Sequence, residues 1–326
     1  MNILYHVNQY NMNYFLIDLP IDIKQNILNQ LKELNFLCDK SEELTSAEIN
    51  YTKATLIELF NLIPVIIESN DKFDLPFERL VESKNNKRLT NLTQLQYPPR
   101  ENANKLDYNR ASLKGQTIFY AGSSNSLPIF VETQPMKGQL IVKSKWILKN
   151  GSLKMFVICQ DSVIAHSNLF ELLNSYNDYN RMLLQIPANN RIIIEKIYNL
   201  IIKSFTRKVN YEKKQGYLFS ALIADILFNN KNYQVDAIYY PSVPNNGSVM
   251  NIAVKPDVID KQFEMIEATE SIVIEDCKEE KKWHLFNSAK CKKYNKDTLE
   301  LTWENYQIAE EYNVNKIINE FKIDLT

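Results

Sequence analysis

The chain has 326 residues, 45% hydrophobic and 24% charged, with a net charge of -1 and a pI of about 6.4. This balance suits one large globular domain or a domain with extensions, and it lacks the basic excess of a general nucleic-acid binder. Its apolar runs are too short to cross a bilayer, and its N-terminus, with His6 among polar residues, lacks the basic and apolar regions of a secretion signal.

Residues 1 to about 70 read as mainly helical. Ile23, Ile27, Leu31, Leu34 and Leu37 recur at spacings of three and four, with Asp22 near the helix start. Thr45-Ser46-Ala47-Glu48 resembles a capping signal before a second helix ending near Ile67, and Pro64 would kink or shorten it. Ser69-Asn70-Asp71 reads as a boundary. Phe77 to Glu82 then reads as a strand. The polar stretch 85–100 contains Pro98-Pro99 and is not helical.

Thr117 to Tyr120 is β-rich, and Pro128 fits the first turn of a helix toward Glu132. Gly138 to Lys149 and Leu153 to Cys159 flank Asn150-Gly151, a pattern that predicts a hairpin. Residues 167–186, 190–207 and 217–228 read as helices. Val235 to Tyr240, Met250 to Val254, Phe263 to Glu275 and Lys281 to Phe286 read as strands, with Asn245-Asn246-Gly247 a turn and Trp303 to Phe321 a helix. Strands and helices do not alternate regularly, so the expected class is α+β.

The four cysteines, Cys38, Cys159, Cys277 and Cys291, form no Cys-x-x-Cys pair. Cys277 and Cys291 flank His284 at a spacing that fits no zinc template, so no metal site is expected. Reduced cysteines fit an expected cytoplasmic location. His6, His166 and His284 lie in no nucleophile signature, and no Gly-x-Ser-x-Gly elbow occurs. These features argue against a serine hydrolase.

Four places offer other chemistry. Arg110, beside a turn, could grip phosphate through its planar fork or pair with Asp107 on the surface. Tyr120, ending a strand, could stack on a base or simply be a sheet tyrosine. Glu132 follows the apolar run Leu127, Ile129, Phe130, Val131, where a carboxylate is costly without a partner or a task, or it is an exposed helix residue. Ser242, after Tyr240-Pro241, could meet a ligand or bond only its own turn.

In order, Phe77-Glu78-Arg79, Tyr97-Pro98-Pro99, Asn109-Arg110-Ala111-Ser112, Phe119-Tyr120, Val131-Glu132, Tyr240-Pro241-Ser242 and Asn251-Ile252 resemble the RES domain family. The resemblance spans about residues 73 to 260. Asn109 and Ser112 depart from the family's usual Gly and Asn around the arginine, and residues 150–215 are longer than in compact members.

The resemblance implies an ADP-ribosyltransferase-like split β core with flanking helices. It implies a segment 1–72 as a helical N-terminal extension, 73–262 as the catalytic domain and 263–326 as a C-terminal α/β extension. NAD is the implied substrate, cut at the nicotinamide–ribose bond by hydrolysis or phosphorolysis, with NAD depletion as a toxin's outcome. Glu132, Arg110 and Tyr120 would be catalytic. Arg79 (or Arg100 in its place), Arg110, Tyr120, Ser242 and Asn251 would hold NAD. The implied partner is an antitoxin or regulatory protein, or a second copy of the chain, with no membrane and no direct nucleic-acid contact. An ADP-ribosyltransferase acting on a macromolecule and a catalytically silent binding module are the alternatives.

Overall fold

The computed structural model describes residues 18–62, 65, 67–70, 73, 76–123, 126–158, 170–210, 212–231, 233–245, 249–306 and 311–325. His6, Pro64, Cys159, His166, the start of the helix expected from residue 167 and the Asn246-Gly247 part of one turn lie outside them.

The chain begins with α1 (Ile21–Asp39), which buries Ile27, Leu31, Leu34 and Leu37 along one stripe. The next helix, α2 (Ser46–Leu62), starts from a reciprocal cap. The Thr45 N–H donates to Glu48 Oε2 at 2.7 Å, and the Glu48 N–H donates to Thr45 Oγ1 at 3.3 Å. Then follow β1 (Glu68–Asn70), β2 (Phe77–Glu82), β3 (Phe119–Ser123), α3 (Ser126–Thr133), β4 (Leu140–Leu148) and β5 (Leu153–Val157). Three helices come next: α4 (Phe170–Gln185), α5 (Ala188–Thr206) and α6 (Leu218–Asn229). The chain continues through β6 (Ala237–Pro241), β7 (Met250–Val254), α7 (Pro256–Gln262), β8 (Phe263–Cys277), β9 (Lys282–Tyr294), β10 (Leu301–Asn305) and α8 (Glu311–Phe321). The class is mixed α+β, as the irregular order of strands and helices predicts.

Two compact units cut across the three consecutive segments expected from the sequence. The first comprises Met1–Asp71, Arg100–Ile118 and Ser152–Lys255. The second comprises Lys72–Pro99, Phe119–Gly151 and Pro256–Thr326.

In the first unit the strand order is β1-β5-β6-β7. The β1–β5 and β6–β7 pairs are antiparallel and β5–β6 is parallel. A parallel pair needs a long crossover, and α4, α5 and α6 supply it. Every residue of β6 and β7 is buried. Helix α6 is apolar around most of its circumference and buries Leu218 to Ala224, Ile226 and Leu227. It packs on α2, while α1 packs on α5.

In the second unit the order β3-β2-β4-β8-β9-β10 is antiparallel throughout. One face stacks Phe119 edge-on against Trp146, their rings 5.4 Å apart. The Trp146 indole N–H donates to Ser144 Oγ at 2.9 Å on that face. The other face buries Leu80 and Ile141 with Ile129 and Phe130 of α3 and Val273, and Trp283 packs against the cluster. Helix α3 therefore lies over that second face.

Two expectations are corrected. Gly151 does turn the chain at φ +77°, but β4 and β5 form no hairpin. Both edges of β4 are taken, by β2 and β8, and β5 pairs with β1 and β6. Trp303 lies in β10 rather than in the last helix, and its indole N–H donates to the Leu89 carbonyl at 2.7 Å.

Candidate functional site

Arg110 sits in the first unit. Its turn is held by reciprocal backbone bonds, Asn109 N–H to Ser112 at 2.9 Å and Ser112 N–H to Asn109 at 3.2 Å. Arg110 Nη1 donates to the carbonyls of Phe205 at 2.7 Å and Arg207 at 3.3 Å, at the end of α5. The negative end of a helix dipole favours a cation there. The guanidinium also lies 4.9 Å from the centre of the Tyr217 ring. Asp107 pairs with Lys114 at 3.4 Å instead of with Arg110. Among the described residues, Arg110 Nε and Nη2 have no hydrogen-bond partner.

The same unit holds Ser242 and Asn251. Asn251 is paired with Tyr240 across β6 and β7, and both are buried. Ser242 continues the Tyr240 side by alternation. The Tyr240 ring packs on Phe205 at 5.5 Å, so this side of the strands adjoins the α5 end that Arg110 clamps. Ser242 is fully buried. Its hydroxyl accepts from Asn245 Nδ2 at 2.8 Å, a bond within its own turn.

In the second unit, β2 and β3 pair with Phe77 opposite Ser123 and Glu78 opposite Gly122. Alternation then puts Tyr120 on the face of Glu78 and Leu80, the face covered by α3. Glu132 is on α3, one turn beyond Ile129, and is half-buried. Tyr120 and Glu132 therefore belong to the same side of the sheet.

Arg79 belongs to the reverse face. Its guanidinium lies 5.3 Å from the Phe119 ring centre. Nε donates to the Leu95 carbonyl at 3.1 Å and Nη1 to the Tyr120 carbonyl at 2.7 Å. The residue is half-buried at its surface, but its charge is enclosed enough for burial to push its pKa down to about 10. The nearby Tyr120 phenol acts in the opposite sense. Arg79 thus remains a cation at neutral pH and braces the strand that carries Tyr120. Arg100 is exposed, at the start of a 3-10 segment in the first unit.

No family model, curated protein or solved structure matches this chain.

One residue within a quoted motif escaped assignment from sequence. Glu78 is buried, and its Oε1 lies 3.9 Å from Lys143 Nζ, beyond hydrogen-bond reach. Its Oε2 is buried without a hydrogen-bond partner among the described residues. A carboxylate held this way is costly, which makes it a signal of function rather than of stability. The sequence clue was Glu at an inward position of a strand, legible only once the register is known. Among the described residues no group of three metal-ligating side chains converges.

Proposed function

We propose that this protein is a RES-type enzyme of ADP-ribosyltransferase-like fold that destroys NAD by breaking the nicotinamide–ribose bond. The observation that carries the reading is Tyr120 and Glu132 on one side of the antiparallel sheet of the second unit, with Glu132 on a helix seated by Ile129 and Phe130.

The chemistry needs little more than such a pair. The C–N bond breaks with its electrons going to nicotinamide, which leaves as a neutral molecule and needs no strong general acid. Positive charge develops on the ribose C1 and ring oxygen. Glu132 stabilises that cation and orients the incoming water or phosphate, whose proton passes to solvent. The Tyr120 ring stacks on nicotinamide. Arg110, Ser242 and Asn251 belong to the first unit, and the family resemblance alone assigns them to NAD; of the three, Arg110 has the donors, Nε and Nη2, that a phosphate would take. Arg79 acts through Tyr120, by fixing its strand. An antitoxin or regulatory protein is the partner this reading expects.

The test is to incubate purified protein with NAD and resolve the products. Free nicotinamide with ADP-ribose marks hydrolysis, and phosphorylated ADP-ribose marks phosphorolysis. Label retained on a macromolecule would favour an ADP-ribosyltransferase. No nicotinamide release, with or without a co-purifying partner, would leave a silent binding module.

A further inference from the structure

We infer that Glu78 is a second carboxylate of the same site and accepts hydrogen bonds from the hydroxyls of the ribose that bears nicotinamide. This rests on the NAD reading above. Glu78 shares a sheet face with Tyr120, two residues along β3 from its partner Gly122, and that face lies beneath the helix bearing Glu132. Gly122 places no side chain across from Glu78. The Glu78 side chain is about nine-tenths buried, yet Oε2 has no partner among the described residues and Oε1 has only a distant ammonium.

A carboxylate is acceptor-only, so what completes it must donate. A vicinal diol offers two donors at a spacing that one carboxylate spans. A ribose hydroxyl pair is therefore the chemical match, and a sugar lacking those hydroxyls is not. Glu78 is a positioning residue in this scheme. It fixes the ribose while Glu132 faces the developing cation. Lys143 limits the negative charge that Glu78 would otherwise present to an incoming pyrophosphate.

The experiment compares wild type, Glu78→Gln and Glu78→Asp by NAD cleavage, by calorimetric binding of ADP-ribose and by thermal melting. A fourth measurement is the affinity for an NAD analogue whose nicotinamide ribose lacks both hydroxyls. Glu78→Gln should raise KM at least about 10-fold and weaken ADP-ribose binding similarly, with the melting temperature unchanged or higher. Glu78→Asp should recover part of the loss. The analogue should bind wild type and Glu78→Gln alike.

If wild type cleaves NAD and Glu78→Gln keeps its KM, the inference falls and the NAD reading stands. The same holds if Glu78→Gln lowers the melting temperature and weakens NAD and analogue equally. If wild type neither cleaves NAD nor binds ADP-ribose, both fall together.

Discussion

Glu132 and Arg110 carry separable predictions. Glu132→Gln removes the charge but keeps the shape of a half-buried helix residue. NAD cleavage should drop by about 10²- to 10⁴-fold with the melting temperature little changed. Wild-type turnover in that variant would remove Glu132 from the chemistry. Arg110→Ala should act twice. It deletes the donor that holds the Phe205 and Arg207 carbonyls, costing about 1–3 kcal/mol in a denaturant titration, and it should also raise KM for NAD. A loss of stability with unchanged kinetics would leave Arg110 as a helix clamp only. The sequence pointed to Arg110, Tyr120 and Glu132 by residue type and order. It could not separate Arg79 from Tyr120, because the face each occupies depends on the pairing of Glu78 with Gly122. Glu78 stayed hidden for the same reason, since a Glu beside an Arg reads as a surface pair until its burial is known.

Strands β4, β8 and β9 are laced by charge. Glu267 accepts from Lys290 at 2.7 Å and Lys145 at 3.1 Å, and Glu264 meets Lys149 at 3.0 Å and Lys296 at 3.5 Å. The lysine hydrogen bonds hold both carboxyls below their ordinary value of 4.5, led by Lys290 for Glu267 and Lys149 for Glu264. In the unfolded chain these groups take up protons at higher pH than in the folded one. Their contribution is therefore complete above about pH 4.5 and is lost as pH falls through the lower folded values. Glu267→Gln should flatten the fall of melting temperature below that pH and cost about 1 kcal/mol or less at neutrality. Helices α1, α5 and α6 were legible because their apolar stripes repeat at helical spacing. The β4–β5 hairpin was misread because Asn-Gly specifies a turn and not a partner. The long strand β8 competes for the same edge and wins it. The three residues of β1 are too few for any period to show.

Over the whole chain, neither unit is a continuous segment, and this limits what truncation can isolate. Helices α1 and α2 bury Leu31, Leu34, Leu56 and Leu59, and they pack on α5 and α6 of the same unit. Removing everything before Lys72 would bare that apolar surface. The shortened protein should lose cooperative melting or aggregate, as judged by calorimetry and light scattering. A well-folded, NAD-cleaving fragment would instead make the helices a dispensable extension. The two α1 and α2 stripes were readable from sequence, but their assignment to a unit closed only at Lys255 was not. That closure depends on contacts between residues far apart in the chain.

The pairing of β4 with β8 also sets a timetable for synthesis. When β4 leaves the ribosome it can join β2, but its second edge waits roughly a hundred residues for β8, on the order of ten seconds of elongation. The first unit has its full sequence by Lys255, before β8 begins. A nascent chain paused between those points would be half finished, with an open strand edge as its most adhesive surface. Chaperone demand during expression should therefore peak late in translation, over the stretch that brings β8 to its waiting neighbour.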